Sequence, residues 1–171
     1  MARVQRNNDS KKKLLEEKVI NLGRVTKVTK GGRHFRFSAT VVVGNRKGLV
    51  GIGTGKSNEV QDAISKASKA ANKNVIKIAI TDNRTIPHEA TCKVGRAVVM
   101  VKPAKAGTGV VAGGASRAVI ELAGIKDIVS KSLGSNTKVN VAKATLDALK
   151  SIKTPQKIAA LRGKEVTELW N

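Results

Sequence analysis

The sequence predicts an α+β chain built as two small layered units, and three observations predict it. Phe35, Phe37, Ala39, Val41 and Val43 alternate with His34, Arg36, Ser38, Thr40 and Val42, the period of two that gives a strand one apolar face. Val60, Ala63, Ile64, Ala67 and Ala71 then recur at helical spacing and make one apolar stripe. Strand and helix patterns start again after Asn74 with different lengths and motifs, so the second unit is a different fold rather than a duplication.

Residues 1–17 read as a basic arm, with Met1 to Ser10 too polar to order alone and Lys11 to Lys18 able to form one or two helical turns on Leu14, Leu15 and Val19. The first unit, residues 18–74, is expected to hold a three-stranded antiparallel sheet and a helix. Its strands are Ile20 to Val28, the alternating run after the Gly31-Gly32 turn, and Leu49 to Ile52 after the turn Gly44-Asn45-Arg46-Lys47-Gly48. Asn58 and Gln61 have capping-box spacing. Glu59 and Asp62 open the helix, and Lys66, Lys69 and Lys73 follow, as the macrodipole favours.

The second unit, residues 75–163, reads β-β-β-α-β-α with a terminal helix. Strands are expected at Val75 to Ile80, His88 to Val94, Ala97 to Val101 and Lys126 to Leu133. A glycine-rich loop spans Ala104 to Gly114, a short helix Ser116 to Ala123, and a longer helix follows a cap at Thr137 or Asn140. Thr154-Pro155 starts the last helix, which runs to about Leu161, and residues 164–171 are a tail.

Lys plus Arg number 33 against 12 Asp plus Glu, a formal net charge of +21 over 171 residues. Self-repulsion on that scale opposes compaction unless a polyanion offsets it. Nucleic acid is the first candidate and an anionic membrane surface the second. No segment has the apolar length to span a bilayer, and no apolar signal core follows the N-terminal charges, so the chain is expected to stay in the cytosol. The single cysteine, Cys92, reads as a small strand filler, and with His34 and His88 it makes no metal-ligand cluster. Neither histidine has a legible partner, and both read as exposed polar residues. No cofactor is implied. Tyrosine is absent and Trp170 is the only tryptophan, which argues against recognition by rows of stacked aromatics and leaves contacts to backbone and shape.

The run Gly51-Ile52-Gly53-Thr54-Gly55-Lys56-Ser57 approaches a phosphate loop but puts Val50 where the first glycine must stand. The dinucleotide fingerprint fails too, with Lys56 at its third glycine. These glycines read as a strand closely approached by backbone within the fold and as room for another macromolecule's backbone, two readings that can both hold in a chain this basic. Cations gather at the turns: Arg24, Lys27, Lys30, Arg33 and Arg36 around Gly31 and Gly32, then Arg46, Lys47 and Lys56. These ten residues are the candidate RNA-binding set, and Lys27, Lys30, Arg33 and Arg36 are expected to share one surface. Gly107, Thr108, Gly109, Gly113, Gly114 and Arg117 form a second candidate interface for RNA or protein, ahead of a helix whose amides suit a phosphate.

The order G-G-R-x-F-x-F-x-A, V-V-G-N-x-x-G-x-V-G-x-G-x-G-K and E-V, with P-A-x-x-G-T-G-V-V-A-G-G-x-x-R-A-V at Pro103 to Val119, closely resembles bacterial small-subunit ribosomal protein five. The resemblance runs from Lys18 to about Gly163. It implies a first domain like a double-stranded-RNA-binding domain and a second α/β domain with a left-handed crossover. It implies a non-enzymatic protein on 16S rRNA that holds the head against the body and borders the mRNA entry path. Implied neighbours are small-subunit proteins four and eight, with an influence on decoding accuracy shared with proteins four and twelve. The turn at Lys30 to Arg33 would approach the RNA of the head. Two departures stand out: Ile52 and Thr54 occupy places where family members often carry aromatics, and only Lys56 precedes Glu59 and Asp62 where free-standing duplex binders carry a lysine cluster.

Overall fold

The computed structural model describes residues 15–165 and 168. The first sheet has the order β1-β2-β3-β4 and is antiparallel throughout, from β1 (Glu16–Thr29), β2 (Gly32–Gly44), β3 (Leu49–Ser57) and β4 (Ile76–Lys77). Helix α1 (Val60–Lys73) lies between β3 and β4. The second sheet has the order β5-β6-β8-β7, from β5 (Ala90–Val94), β6 (Ala97–Pro103), β7 (Val110–Val111) and β8 (Ile128–Ser132). Its β7 and β8 are parallel neighbours joined through α2 (Gly114–Ala123), and the other pairs are antiparallel. Helices α3 (Lys138–Ser151) and α4 (Pro155–Arg162) complete the chain.

The alternation in β2 sorts its two faces as expected. Ala39, Val41 and Val43 pack with Ala63, Ala67 and Ala71 of α1 in a small core. Opposite those β2 residues stand Gly55, Gly53 and Gly51 of β3. A methyl carbon at Gly51, Gly53 or Gly55 would lie 2.5, 2.1 or 2.4 Å from the carbonyl oxygen of Ala71, Ala67 or Ala63. The alternate glycines and the i, i+4 alanines are thus one device. Both surfaces lose their side chains so that helix and strand backbones can meet.

The other face of the sheet is buried as well. Val42, Val50 and Ile52 join a larger core with Val119, Ile120 and Leu122 of α2, Val141 and Leu149 of α3, and Val99, Val101 and Ile128 of the second sheet. The layers run α1, first sheet, α2 with α3, second sheet. The small core is thus private to the first unit, whereas the large one is shared by both units. Ser116 and Thr145 meet in it through their hydroxyls at 2.9 Å, and Thr145 also donates to the Val141 carbonyl.

Several local expectations change. Leu15 is not helical and Glu16 to Lys18 are strand, so β1 starts four residues before Ile20, and Lys11 to Leu14 of the proposed arm helix lie outside the described residues. The third strand runs on to Ser57. The run Val75 to Ile80 contributes only two strand residues, and these pair with Leu49 and Val50, making the first sheet four-stranded. Asn58 does not cap α1. Glu59 holds that position without a side-chain bond, and the Asn58 Oδ1 accepts instead from Arg36 Nε at 3.2 Å. Thr137 stands at the α3 cap but makes no capping bond. Thr154 does cap α4, accepting from the Lys157 amide, with Pro155 at the first position. His88 proves anchored: Nδ1 donates to the Glu89 carbonyl at 2.7 Å and Nε2 accepts from the Lys153 amide at 3.2 Å. Those two partners allow a single neutral tautomer.

Candidate nucleic-acid interface

Strand β3 pairs with β2 only from Gly44 to Phe37, whereas β1 stays paired as far as Thr29 with Gly32. The distal halves of β1 and β2 therefore leave the sheet as a two-stranded ribbon, exposed at Arg24 to Val28 and at Gly32 to Arg36. No acidic residue occurs between Gly23 and Ser38. Gly31 sits at the tip with nothing near a would-be side chain, and Gly32 has φ +133°, a conformation that favours glycine.

The register assigns the cations to faces. Lys27 pairs with His34 and Val25 with Arg36, and Lys56 stands opposite Ser38 on the same side. Arg24 pairs with Phe37 and Val28 with Arg33 on the other side, the side α1 covers farther down the sheet. The expected single surface of Lys27, Lys30, Arg33 and Arg36 is therefore corrected. Arg33 faces away from Lys27 and Arg36, and Lys30 lies in the turn. The odd separation of Arg33 from Arg36 already carried that signal, since residues three apart in a strand point oppositely. The result is a thin element with positive charge on both faces, a shape that RNA phosphates can flank on two sides.

Arg46 and Lys47 belong to a different environment. Their turn docks on the end of α2, where the Arg46 and Gly48 amides donate to the Leu122 and Ala123 carbonyls at 2.9 and 2.8 Å. These are among the carbonyls that a helix C-terminus leaves without partners. Arg46 has φ 53° and its side chain holds Glu16 at 2.8 Å. It serves as a joint between the layers, a role for which Glu16 gave no signal in the sequence. Asn45 shapes the turn by accepting from the Lys47 and Leu49 amides. Lys47 is exposed.

The second candidate set is held by an acid that the sequence reading passed over. Asp127 is buried, accepts from the Gly109 amide at 2.8 Å, and lies 3.8 Å from Arg84. Thr108 bonds back to the Lys105 carbonyl, and Gly107 is exposed with φ +83°. The loop is thus a braced turn that carries β7. Helix α2 starts two residues earlier than expected, with Gly113 as its cap. Gly113, Gly114, Asn136 and Lys138 line a cleft of about 510 Å³ where the starts of α2 and α3 come together. Arg117 pairs within its own helix, its Nε lying 3.2 Å from Glu121 one turn on.

The glycine run in β3 offers no seat for a nucleotide phosphate, because the α1 backbone fills the space its missing side chains leave. Of its two readings, close approach within the fold is the observed one. Among the described residues no group of His, Cys, Asp and Glu has metal-site spacing, and no helix is long and apolar enough to cross a membrane.

Two family models match the chain in succession: "Ribosomal protein S5, N-terminal domain" over residues 15–79 and "Ribosomal protein S5, C-terminal domain" over residues 92–162. The chain belongs to the ribosomal protein S5 family. It is a small-subunit ribosomal protein that binds rRNA, and the family is structural rather than enzymatic. The first S5 model spans both strands of the ribbon and the helix packed on the glycine strand. The second spans the braced loop, α2, α3 and α4.

Proposed function

We propose that this S5 protein braces 16S rRNA elements that meet at the junction of head and body, with its ribbon as the principal RNA contact. The carrying observation is the acid-free ribbon, charged on both faces and, among the described residues, without covering protein beyond Phe37. Lys30, Gly31 and Gly32 at its tip approach RNA of the head, Arg24 and Arg33 contact phosphates on one side, and Lys27, Arg36 and Lys56 on the other. Arg46 and Lys47 act nearer the body, where Arg46 is also committed to Glu16. The segment carrying Gly107, Thr108, Gly109, Gly113, Gly114 and Arg117 faces a neighbouring protein or rRNA.

On this reading the neighbours are small-subunit proteins four and eight, mRNA passes nearby at its entry path, and decoding accuracy is shared with proteins four and twelve. The protein works in the cytoplasm as part of the small subunit. The shared core supports a bracing role, because the two sheets are coupled through one helix layer rather than hinged. Sucrose-gradient fractionation in high salt tests the assignment. Co-migration with small subunits is expected, and release to the top of the gradient with no subunit association would overturn it. Raised misreading on weakening the Gly107–Arg117 segment is the expected mark of the accuracy role.

A further inference from the structure

We propose that Phe35, with Arg24 stacked on it, is a platform for one unstacked RNA base. The proposal deepens the rRNA-binding reading and rests on it. The chain has two phenylalanines and no tyrosine. Phe37 is half-buried and packs against the small core, while Phe35, two residues on along the same face, is 45% exposed. Core packing gives no reason for an aromatic there, since α1 does not reach it. The Arg24 guanidinium carbon lies 3.5 Å from the Phe35 ring centroid, a cation–π stack that holds two flat groups together. Among the described residues no carboxylate pairs with Arg24, so its charge is not spent within the protein. Val28, also exposed, and Arg33 share the face.

Charge decides the occupant. Arg33 lies on the same face, Lys30 in the turn and Lys27 and Arg36 behind it, with no acid anywhere on the ribbon. An apolar peptide would leave those cations without partners, whereas a nucleotide satisfies both kinds of surface, base on the aromatic and phosphate on the cations. Every base has a π-face, so the contact tolerates sequence but requires an unstacked nucleotide in a loop, bulge or end. A ribbon that met only duplex backbone would have no use for the ring.

The test measures binding of the full chain to a transcribed small-subunit rRNA fragment across a salt series, for the parent, Phe35→Leu and Phe35→Trp. Loss of a base–aromatic stack should weaken Phe35→Leu roughly five- to a hundredfold at every salt concentration. The slope of log affinity against log salt should not change, because no phosphate contact is lost. Phe35→Trp should restore affinity, and the melting temperature of the free protein should be unaltered. Chemical probing should find one unpaired base protected by the parent and Phe35→Trp chains but not by Phe35→Leu. Equal affinity of parent and Phe35→Leu, or a loss with a shallower slope that Phe35→Trp does not rescue, would overturn the platform. If Phe35→Leu melts lower, the probing pattern of Phe35→Trp decides: no protected base overturns it. A parent chain that does not bind the rRNA would fail the functional reading itself, before any variant is compared.

Discussion

The two halves of β2 carry the same alternating pattern and have opposite fates. From Ala39 to Gly44 every residue is buried, and from Gly32 to Arg36 every residue is exposed. The difference lies in the partners. β3 and α1 cover the first half, while among the described residues only β1 accompanies the second. Alternation therefore states which residues share a face, and it is silent on whether anything lies against that face. Glycine repeats the lesson. Gly53 is hemmed in by helix backbone, whereas Gly31 meets nothing within 4 Å.

The largest effect expected from this contrast is on stability. Gly53→Ala would place a methyl 2.1 Å from the Ala67 oxygen and 2.2 Å from the Ala71 nitrogen, so α1 must lift off the sheet. Overpacking of this kind costs about 3 kcal/mol. Gly31→Ala should stay within about 0.5 kcal/mol, as exposed changes do. Thermal melts of both variants check the comparison, and equal melting temperatures would show that the helix backbone is not as close as described.

A smaller effect separates the charge from the packing. Among the described residues the cores contain no fully buried aromatic, and the largest fully buried side chains are Ile, Leu and Val. A formal net charge of +21 is weakly screened when the Debye length is about 30 Å at 0.01 M salt, and much better at about 8 Å near physiological salt. The melting temperature of the free protein should rise over that range. Cognate RNA should raise it further, by an increment that shrinks as salt weakens binding. A melting temperature that does not move with salt would mean that self-repulsion is already balanced inside the fold.

Much of this was legible in the sequence, and the failures have physical causes. The α+β class, the β2 faces, the alanine stripe and the Thr154-Pro155 helix start all follow from local periodicity or capping chemistry. The early start of β1 was hidden because Glu16 to Val19 are exposed, so no apolar alternation marks them. Asn58 had the right spacing for a cap, but Arg36 claims its oxygen across the sheet. The two-residue strands β4 and β7 owe their assignment to pairing partners distant in sequence. Asp127 and Glu16 anchor Gly109 and Arg46 without any local sequence signal for those roles. Tertiary partners of this kind leave no local trace. The division of the proposed RNA-binding ribbon into two faces is a different case, because the odd separation of Arg33 from Arg36 states it in the sequence itself.

The central claim is that the ribbon's cations meet phosphates from both faces. It is tested most directly by the salt dependence of rRNA binding after Lys27, Lys30, Arg33 and Arg36 are all replaced by alanine. Each lost phosphate contact should flatten the slope of log affinity against log salt by roughly 0.7 to 0.9. The four together should remove about three from the slope while the melting temperature holds. If only the face of Lys27 and Arg36 meets RNA, the Arg33→Ala change alone will leave the slope as it was. If the fourfold variant keeps the parent slope, the ribbon is not the RNA contact and the account is contradicted.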